Sequence, residues 1–315
     1  MLRASSRLSL QQYHIAVSRQ TSAAKNVIRW QLSTDKKMPV EGYSIRMRND
    51  EIIVSAIDAK GAFNAAVSLL QLAANAKKMD AVLLLDCWNI TDAPLYGWRG
   101  FMLDESRHFF GKAKVKSLLD WMAFYKLNRF HWHLTDVPGW RLEIKQYPLL
   151  HLVGGVGNYT NPFAPATYYT QEDIQEIIRY ASERQIVVIP EIDMPGHATA
   201  ANKAYPRFSG GGSAKHPDFT FHPAKPEAYT YLSTILRETN ALFPSGMLHL
   251  GGDEVSFGNE KWAADPLVQQ LMREQKLASI HAVEQYFMKR MADSVFAMNA
   301  KLLAWDEVAE ADLPA

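Results

Sequence analysis

Apolar and polar residues alternate with a period of two near the start of the chain, and a helical period follows. Residues 42–57 contain an alternating stretch and a second stretch rich in β-branched residues, which is typical of strands. Asn49 and Asp50 separate the two stretches and predict a hairpin turn. Apolar residues at helical spacing then predict a helix over residues 60–76. Together these patterns predict a small α+β domain over residues 1–93.

From residue 94 onward, short apolar segments alternate with amphipathic ones. Five of the apolar segments predict strands, at residues 100–103, 129–135, 186–192, 247–250 and 302–305. Repeated β-then-α units favour a parallel sheet, either a (β/α)8 barrel or an open doubly wound sheet. A complete TIM-type barrel has eight strands and about 250 residues. The sequence therefore predicts an α/β domain over residues 94–315 that resembles an incomplete barrel of about five β/α units.

Composition narrows the class of protein. Hydrophobic residues make up 48% of the 315 residues and charged residues 21%, which suits a soluble globular chain with a sizeable core. Lys plus Arg is 34 and Asp plus Glu is 33, so no electrostatic feature predicts a nucleic-acid or membrane partner. Cys87 is the one cysteine, which excludes an intrachain disulfide, and its apolar neighbours predict that it is buried. The first ten residues lack the apolar core of a signal peptide.

Polar and ionisable residues collect where the predicted strands end. The segments concerned are residues 104–106, 131–136, 190–197, 249–254 and 305–307. Active sites of parallel α/β barrels are built at the carboxyl ends of the strands. Solvation alone does not explain such residues after each of five successive strands, so the sequence predicts an active site at this edge.

Asp253 and Glu254 are the strongest candidates for catalysis. Adjacent residues on a strand point to opposite faces, so both carboxylates reach one ligand only if the chain bends there. Gly251 and Gly252 precede them and permit such a bend. Neighbouring carboxyls can divide their roles, one staying ionised and the other serving as a general acid. Arg99 could bind vicinal hydroxyls or a carboxylate through its planar guanidinium, or it could pair with a neighbouring acid.

The histidines leave a second chemistry open. His131 and His133 are two residues apart and share one face of their strand. With Asp136, Asp193 and His197 they could hold a divalent metal, as in metal-dependent barrel hydrolases. The alternative is that one histidine packs in the core and the other caps a loop.

Four ordered motifs resemble those of glycoside hydrolase family 20, the β-N-acetylhexosaminidases. They are residues 99–108, 128–136, 190–197 and 249–254, and the resemblance extends from about residue 94 to the end. Residues 42–72 also resemble the small α+β domain that precedes the barrel in that family, with a short N-terminal part. The resemblance implies exo-hydrolysis of terminal N-acetylhexosamine residues. It implies a carbohydrate as the partner and neither a metal nor a cofactor.

The resemblance also implies a mechanism. The family uses substrate assistance, an exception to the usual pair of catalytic carboxylates. The carbonyl oxygen of the substrate's 2-acetamido group attacks C1, and the anomeric configuration is retained overall. On this resemblance Glu254 is the general acid and then the base. Asp253 orients the acetamido N–H and stabilises the positive charge.

The same resemblance implies supporting roles for four more residues. Asp136 and His197 form a dyad that supports Glu254, Arg99 binds sugar hydroxyls, and Trp305 lines the acetamido pocket. In the family the barrel continues past its fifth strand and supplies further pocket walls. An inactive remnant that at most binds amino sugars is therefore an alternative to an active enzyme, and a metal-dependent barrel hydrolase that uses His131, His133 and Asp193 is another.

Overall fold

The structure, a computed structural model, describes residues 27–79 and 82–310. The chain divides into two compact units. Of the described residues, those up to 100, 116–129 and 179–186 form the first unit, and 101–115, 130–178 and those from 187 onward form the second. The prediction that the chain has no signal peptide rests on the first ten residues, which lie outside the described residues.

Fifteen strands and eight α-helices are present in the described residues. The strands are β1 (Val27–Leu32), β2 (Tyr43–Met47), β3 (Glu51–Ala56), β4 (Lys77–Met79), β5 (Val82–Leu84), β6 (Asn89–Asp92), β7 (Gly100–Asp104), β8 (Arg129–His133), β9 (Thr135–Asp136), β10 (Gly139–Trp140), β11 (Val187–Glu191), β12 (Ser209–Gly211), β13 (Thr220–Phe221), β14 (Met247–His249) and β15 (Lys301–Leu303). The helices are α1 (Ala59–Ala74), α2 (Lys112–Phe124), α3 (Leu149–Leu152), α4 (Gln171–Ser182), α5 (Thr199–Ala204), α6 (Pro226–Leu242), α7 (Pro266–Gln275) and α8 (Ile280–Phe296). Within the described ranges, no helix combines the length and the apolar character needed to cross a membrane.

The first unit contains the predicted α+β arrangement. Its sheet has the order β1-β3-β2-β6, and β2 and β3 form the expected antiparallel hairpin. The helix α1 begins at the N-cap residue Asp58, whose carboxylate accepts the N–H of Gly61 at 2.7 Å. Alternate residues of the hairpin, Tyr43, Ile45 and Val54, are buried against this helix, because a strand turns every second side chain to the same face.

The second unit is built on the predicted parallel sheet. Its five strands lie in the order β15-β14-β11-β8-β7, which is the order in which they follow one another along the chain. Consecutive parallel strands joined through helices are the expected outcome of β/α units. Phe130 and Trp132 of β8, Ile189 of β11 and Leu248 of β14 are buried, so the sheet lies in the core of this unit.

The prediction for Cys87 is wrong. The residue is exposed in the segment between β5 and β6. The run of apolar residues before it forms only the short strand β5, whose antiparallel partner β4 is itself exposed. A two-stranded ribbon of this size cannot bury the residues that follow it.

Candidate active site

Five of the six site residues predicted from the sequence follow the carboxyl ends of strands in the parallel sheet. Asp136 lies on β9, directly after β8, and His197 follows β11. Asp253 and Glu254 follow β14, and Trp305 follows β15. Parallel strands bring their carboxyl ends to one edge of a sheet, and the distances given below connect these residues.

The loop that carries Asp253 and Glu254 departs from strand geometry, as its glycines predict. Gly251 and Gly252 have φ values of 65° and 93°, and Glu254 itself has a φ of 52°. The carbonyl oxygen of Gly251 accepts the backbone N–H of Trp305 at 2.9 Å. Glycine adopts this left-handed backbone conformation readily, whereas a residue with a Cβ, such as Glu254, adopts it at a cost in free energy. The surrounding structure therefore holds the loop in this conformation.

His197 connects Asp136 to the two carboxylates. Its Nδ1 lies 2.9 Å from Asp136 Oδ1, and its Nε2 lies 3.6 Å from Asp253 Oδ2 and 3.5 Å from Glu254 Oε2. Burial opposes protonation of the imidazole, but the hydrogen bond to the Asp136 carboxylate raises the pKa of His197. The arrangement can hold a proton beside Asp253 and Glu254, and the side chain of Glu254 is the more exposed of the two.

Burial also raises the pKa of the Asp253 carboxyl. A cavity of about 470 Å³ opens beside Glu254 and is lined further by Phe257, Glu284 and Glu307. Glu254 therefore lies between a buried polar cluster and this cavity.

The structure does not bring Arg99 to the other predicted site residues. Its Nη2 donates to Glu41 Oε2 at 2.6 Å, its Nε to the carbonyl of Lys126 at 2.7 Å, and its Nη1 to the carbonyl of Tyr96 at 2.6 Å. Arg99 precedes β7, whereas the candidate site follows the carboxyl ends of the strands. Its guanidinium is thus committed to holding the first unit together.

Arg107 is the arginine that lies at the site, and the sequence reasoning missed it. It follows β7, and its Nη1 lies 3.0 Å from Asp104 Oδ2, 3.1 Å from His133 Nε2 and in contact with Asp136 Oδ2. The signal was available, because Arg107 belongs to the same motif as Arg99 and lies on the carboxyl side of the strand.

Trp305 lies against a buried carboxylate that was not among the predicted residues. Its Nε1–H donates to Glu191 Oε1 at 3.0 Å, and its ring lies 4.9 Å from that of His249 and 5.6 Å from that of His131. Glu191 is fully buried at the last position of β11. This carboxylate therefore fixes one edge of the indole.

The structure does not bring the three residues of the metal-hydrolase alternative into one group. His131 lies with Glu191 and His249, whereas His133 lies with Asp136 and Asp193. His131 and His133 do share a face, as predicted, since both approach Glu191 Oε2, at 2.7 Å and 2.6 Å. That pairing with a carboxylate accounts for both histidines.

Arg141 supports the loops around the site. Its buried guanidinium donates to the carbonyls of Gly155 and Gly157 at 2.7 Å and of Ser106 at 2.8 Å. It directly follows the two-residue hairpin of β9 and β10, in which Gly139 pairs with Asp136. The loop after β7 and the hairpin that carries Asp136 are thus tied to one charged group.

Asp193 is expected to destabilise the fold at neutral pH. Burial and the nearby carboxylates of Asp253, Glu191 and Asp136 raise its pKa well above the usual value. Above the pKa of the unfolded chain, unfolding releases a proton that the folded state keeps, so the contribution to stability falls as pH rises until the folded pKa is reached. Each unit by which the pKa of Asp193 in the folded protein exceeds that in the unfolded chain lowers the stability by ~1.4 kcal/mol. We expect Asp193→Asn to gain stability over the wild type as pH rises from 4 to 7.

Urea unfolding at several pH values measures this effect. Asp293→Asn, at an exposed position of α8, is the matched control and should show no such trend. A stability difference between Asp193→Asn and the wild type that is independent of pH would show that Asp193 is ionised in the folded protein.

Two family models and several relatives match this chain. The model of the glycosyl hydrolase family 20 catalytic domain matches residues 96–314, and the model of domain 2 of the same family matches residues 3–93. A β-hexosaminidase from Porphyromonas gingivalis is 37% identical over 99% of this chain and 41% of its own length. One from Vibrio furnissii is 36% identical over 89% of this chain and 48% of its own length.

Solved structures are similar as well. The exo-β-N-acetylglucosaminidase from Vibrio harveyi in complex with N-acetylglucosamine is 31% identical with a TM-score of 0.89, over 99% of this chain and 50% of that one. A β-N-acetylhexosaminidase from Bacteroides fragilis is 38% identical with a TM-score of 0.81, over 91% of this chain and 57% of that one. The chain thus spans about half the length of the relatives it matches.

Proposed function

Because the chain belongs to glycosyl hydrolase family 20, we propose that it hydrolyses terminal non-reducing N-acetylhexosamine residues with retention of configuration. The observation that carries this proposal is the grouping of Asp253 and Glu254 with the Asp136–His197 dyad. One proton-shuttling carboxyl and one fixed anion are what the chemistry needs when the substrate's acetamido oxygen is the nucleophile. Names of similar proteins support the substrate class.

The proposed roles follow from the contacts. Glu254, beside the open cavity, protonates the leaving-group oxygen and later activates water. Asp253, more buried, holds the acetamido N–H and faces the positive charge that develops on the intermediate. His197, oriented by Asp136 at 2.9 Å, provides a proton donor beside both carboxylates. Trp305 forms a wall of the acetamido pocket.

We propose that residues 1–93 and 94–315 are two domains, and that the five-stranded sheet corresponds to five β/α units of an eight-stranded barrel. The ranges matched by the family models, 3–93 and 96–314, support this division. The strand order of the sheet supports the barrel, because neighbouring strands of a barrel follow one another along the chain.

Turnover of 4-nitrophenyl N-acetyl-β-D-glucosaminide tests the proposed function. The expected result is release of nitrophenol, with no release from the matching β-glucoside, which lacks the acetamido nucleophile. Turnover that requires a metal after treatment with EDTA would support the metal-hydrolase alternative. Absence of turnover, together with weak binding of N-acetylglucosamine, would support the inactive remnant.

Substitution of Arg99 and of Arg107 tests which of the two arginines binds the sugar. We expect Arg107→Met to lower kcat/KM by about 10- to 100-fold, because a misplaced or unbound sugar loses that much in rate. Arg99→Met should leave kcat/KM near the wild-type value and lower stability by about 3 kcal/mol, because the buried Glu41 loses its nearest cation and keeps only Lys60 at 3.8 Å and the amide of Asn128 at 3.4 Å. Steady-state kinetics and thermal unfolding of both variants measure these effects. A large loss of kcat/KM in folded Arg99→Met, with little loss in Arg107→Met, would show that Arg99 and not Arg107 binds the sugar.

A further inference from the structure

Glu191 is a buried carboxylate to which the proposed mechanism gives no role. It is fully buried, and a buried ionised group is costly unless it is paired and hydrogen-bonded. His131 Nε2 lies 2.7 Å and His133 Nδ1 2.6 Å from Oε2. Although burial alone would raise it, the close contacts with His131 and His133 hold the pKa of Glu191 well below its usual range. The carboxylate is therefore ionised at neutral pH.

The other oxygen of Glu191 holds Trp305. The indole Nε1–H lies 3.0 Å from Oε1. His249 Nδ1 is also close to Oε1, at 3.2 Å, but it accepts the backbone N–H of Gly251 at 3.1 Å. A nitrogen that accepts a hydrogen bond carries no proton to donate. The indole is therefore the donor that Oε1 uses.

His133 continues the path from Glu191 towards Glu254. Its Nε2 lies 2.9 Å from Asp136 Oδ2, and Asp136 in turn holds His197 at 2.9 Å. The result is an alternation of carboxylate and imidazole groups that runs from Glu191 to the catalytic pair. Arg107 also approaches His133 Nε2, at 3.1 Å.

We propose that Glu191 is a positioning residue that connects the pocket wall and the acid-supporting dyad through a hydrogen bond to Trp305 and an ion pair with His133. Oε1 fixes Trp305, and Oε2 fixes His133, which orients Asp136 and through it His197. This inference rests on the proposed function for the roles of Trp305 and Glu254.

The arrangement requires a carboxylate and not merely a side chain of that size. Oε1 of Glu191 accepts the indole N–H of Trp305, and Oε2 forms ion pairs with the imidazoles of His131 and His133. A glutamine has one acceptor oxygen and one NH₂ group, which would face a second donor. Glu191→Gln therefore keeps the volume of the side chain but loses its favourable contact with either the indole of Trp305 or the imidazoles of His131 and His133.

Nuclear magnetic resonance of the 15N-histidine-labelled chain tests the imidazole side without needing activity. Because both nitrogens of His133 face carboxylates, we expect both to be protonated, with strongly deshielded N–H protons, at a pH where an exposed histidine has lost its charge. The signals are assigned with His133→Asn and should be lost in Glu191→Gln. A neutral His133 ring whose Nε2 accepts from Arg107, or signals that persist in Glu191→Gln, would overturn the inference.

A double-mutant cycle tests the indole side. We expect Glu191→Gln and Trp305→Phe each to lower kcat/KM for the N-acetyl substrate by about 10- to 100-fold and to weaken its preference over an N-butanoyl substrate. The double variant should be little worse than the poorer single variant. The exposed Glu260→Gln is the control for loss of one carboxylate.

The outcomes separate the two proposals. If the wild-type chain does not hydrolyse the N-acetyl substrate, the proposed function fails, and the resonance experiment still decides whether Glu191 fixes His133. If the wild type is active and Glu191→Gln keeps its acyl selectivity, or the two substitutions act additively, the positioning role is wrong. A loss of stability with unchanged selectivity would make Glu191 a structural residue only.

Discussion

Glu254→Gln is expected to lower kcat for an N-acetylglucosaminide by about 10²- to 10⁴-fold, the usual contribution of a general acid–base group. The amide keeps the shape of the side chain but cannot donate a proton to the leaving-group oxygen. The loss in the first step should be greatest for a poor leaving group and smaller for a dinitrophenolate, which departs without protonation. Steady-state kinetics on a series of aryl glycosides measure this dependence.

The control for this substitution is Glu260→Gln, on an exposed short helix six residues further along the chain. It should retain wild-type kinetics, and both variants should unfold at the wild-type temperature. An equal loss for every leaving group, or full activity in Glu254→Gln, would contradict the role of general acid.

Gly251→Ala is expected to damage both stability and activity. A Cβ at this position would overlap the carboxylate of the buried Asp193, and the backbone φ is 65°. Overpacking costs about 1–3 kcal/mol, and the left-handed conformation costs about 1–2 kcal/mol more for a residue with a Cβ. The overlap moves the loop that carries Asp253 and Glu254, and a displacement of about 1 Å can cost 10²-fold in rate.

Gly246→Ala is the matched control, because Gly246 has a φ of 63° but an added Cβ meets nothing within 4 Å. It should lose only the conformational part, about 1–2 kcal/mol, and keep its kinetics. Urea unfolding and kcat/KM of both variants measure the difference. Equal effects of the two substitutions would show that the contact of Gly251 with Asp193 does not position the catalytic loop.

Patterns local in sequence predicted much of the fold. The hairpin around Asn49 and Asp50 and the five strands of the parallel sheet follow from the period of apolar residues, which is a property of a short stretch of chain. The helix α7 was not predicted, although Asp265 and Pro266 are typical of the start of a helix. In the structure the Asp265 carboxylate accepts the backbone N–H groups of Leu267 and Val268.

The candidate site was predictable where the chain itself bends. Asp253 and Glu254 follow two glycines, and the predicted loop geometry is present. The sequence did not distinguish Arg99 from Arg107, because their motif contains two arginines, one before and one after β7. The direction of the strand decides between them, and Arg107 is the one on the carboxyl side.

Glu191 could not have been predicted in the same way. It belongs to the polar segment 190–197, but its partners come from β8, β14 and the residue Trp305. These meet only because β8, β11, β14 and β15 are neighbours in the folded sheet. The order of strands in a sheet is a tertiary property, which periodicity along one segment does not contain.

The central claim is that the substrate's own acetamido oxygen attacks C1, with Asp253 and Glu254 assisting. Successive fluorination of the N-acetyl group makes this oxygen a weaker nucleophile while changing its size little. We predict that kcat/KM for aryl glycosides falls steeply from the N-acetyl through the mono-, di- and trifluoroacetyl substrates. A kcat/KM that stays constant across the series would show that the carbonyl oxygen takes no part and would contradict the account.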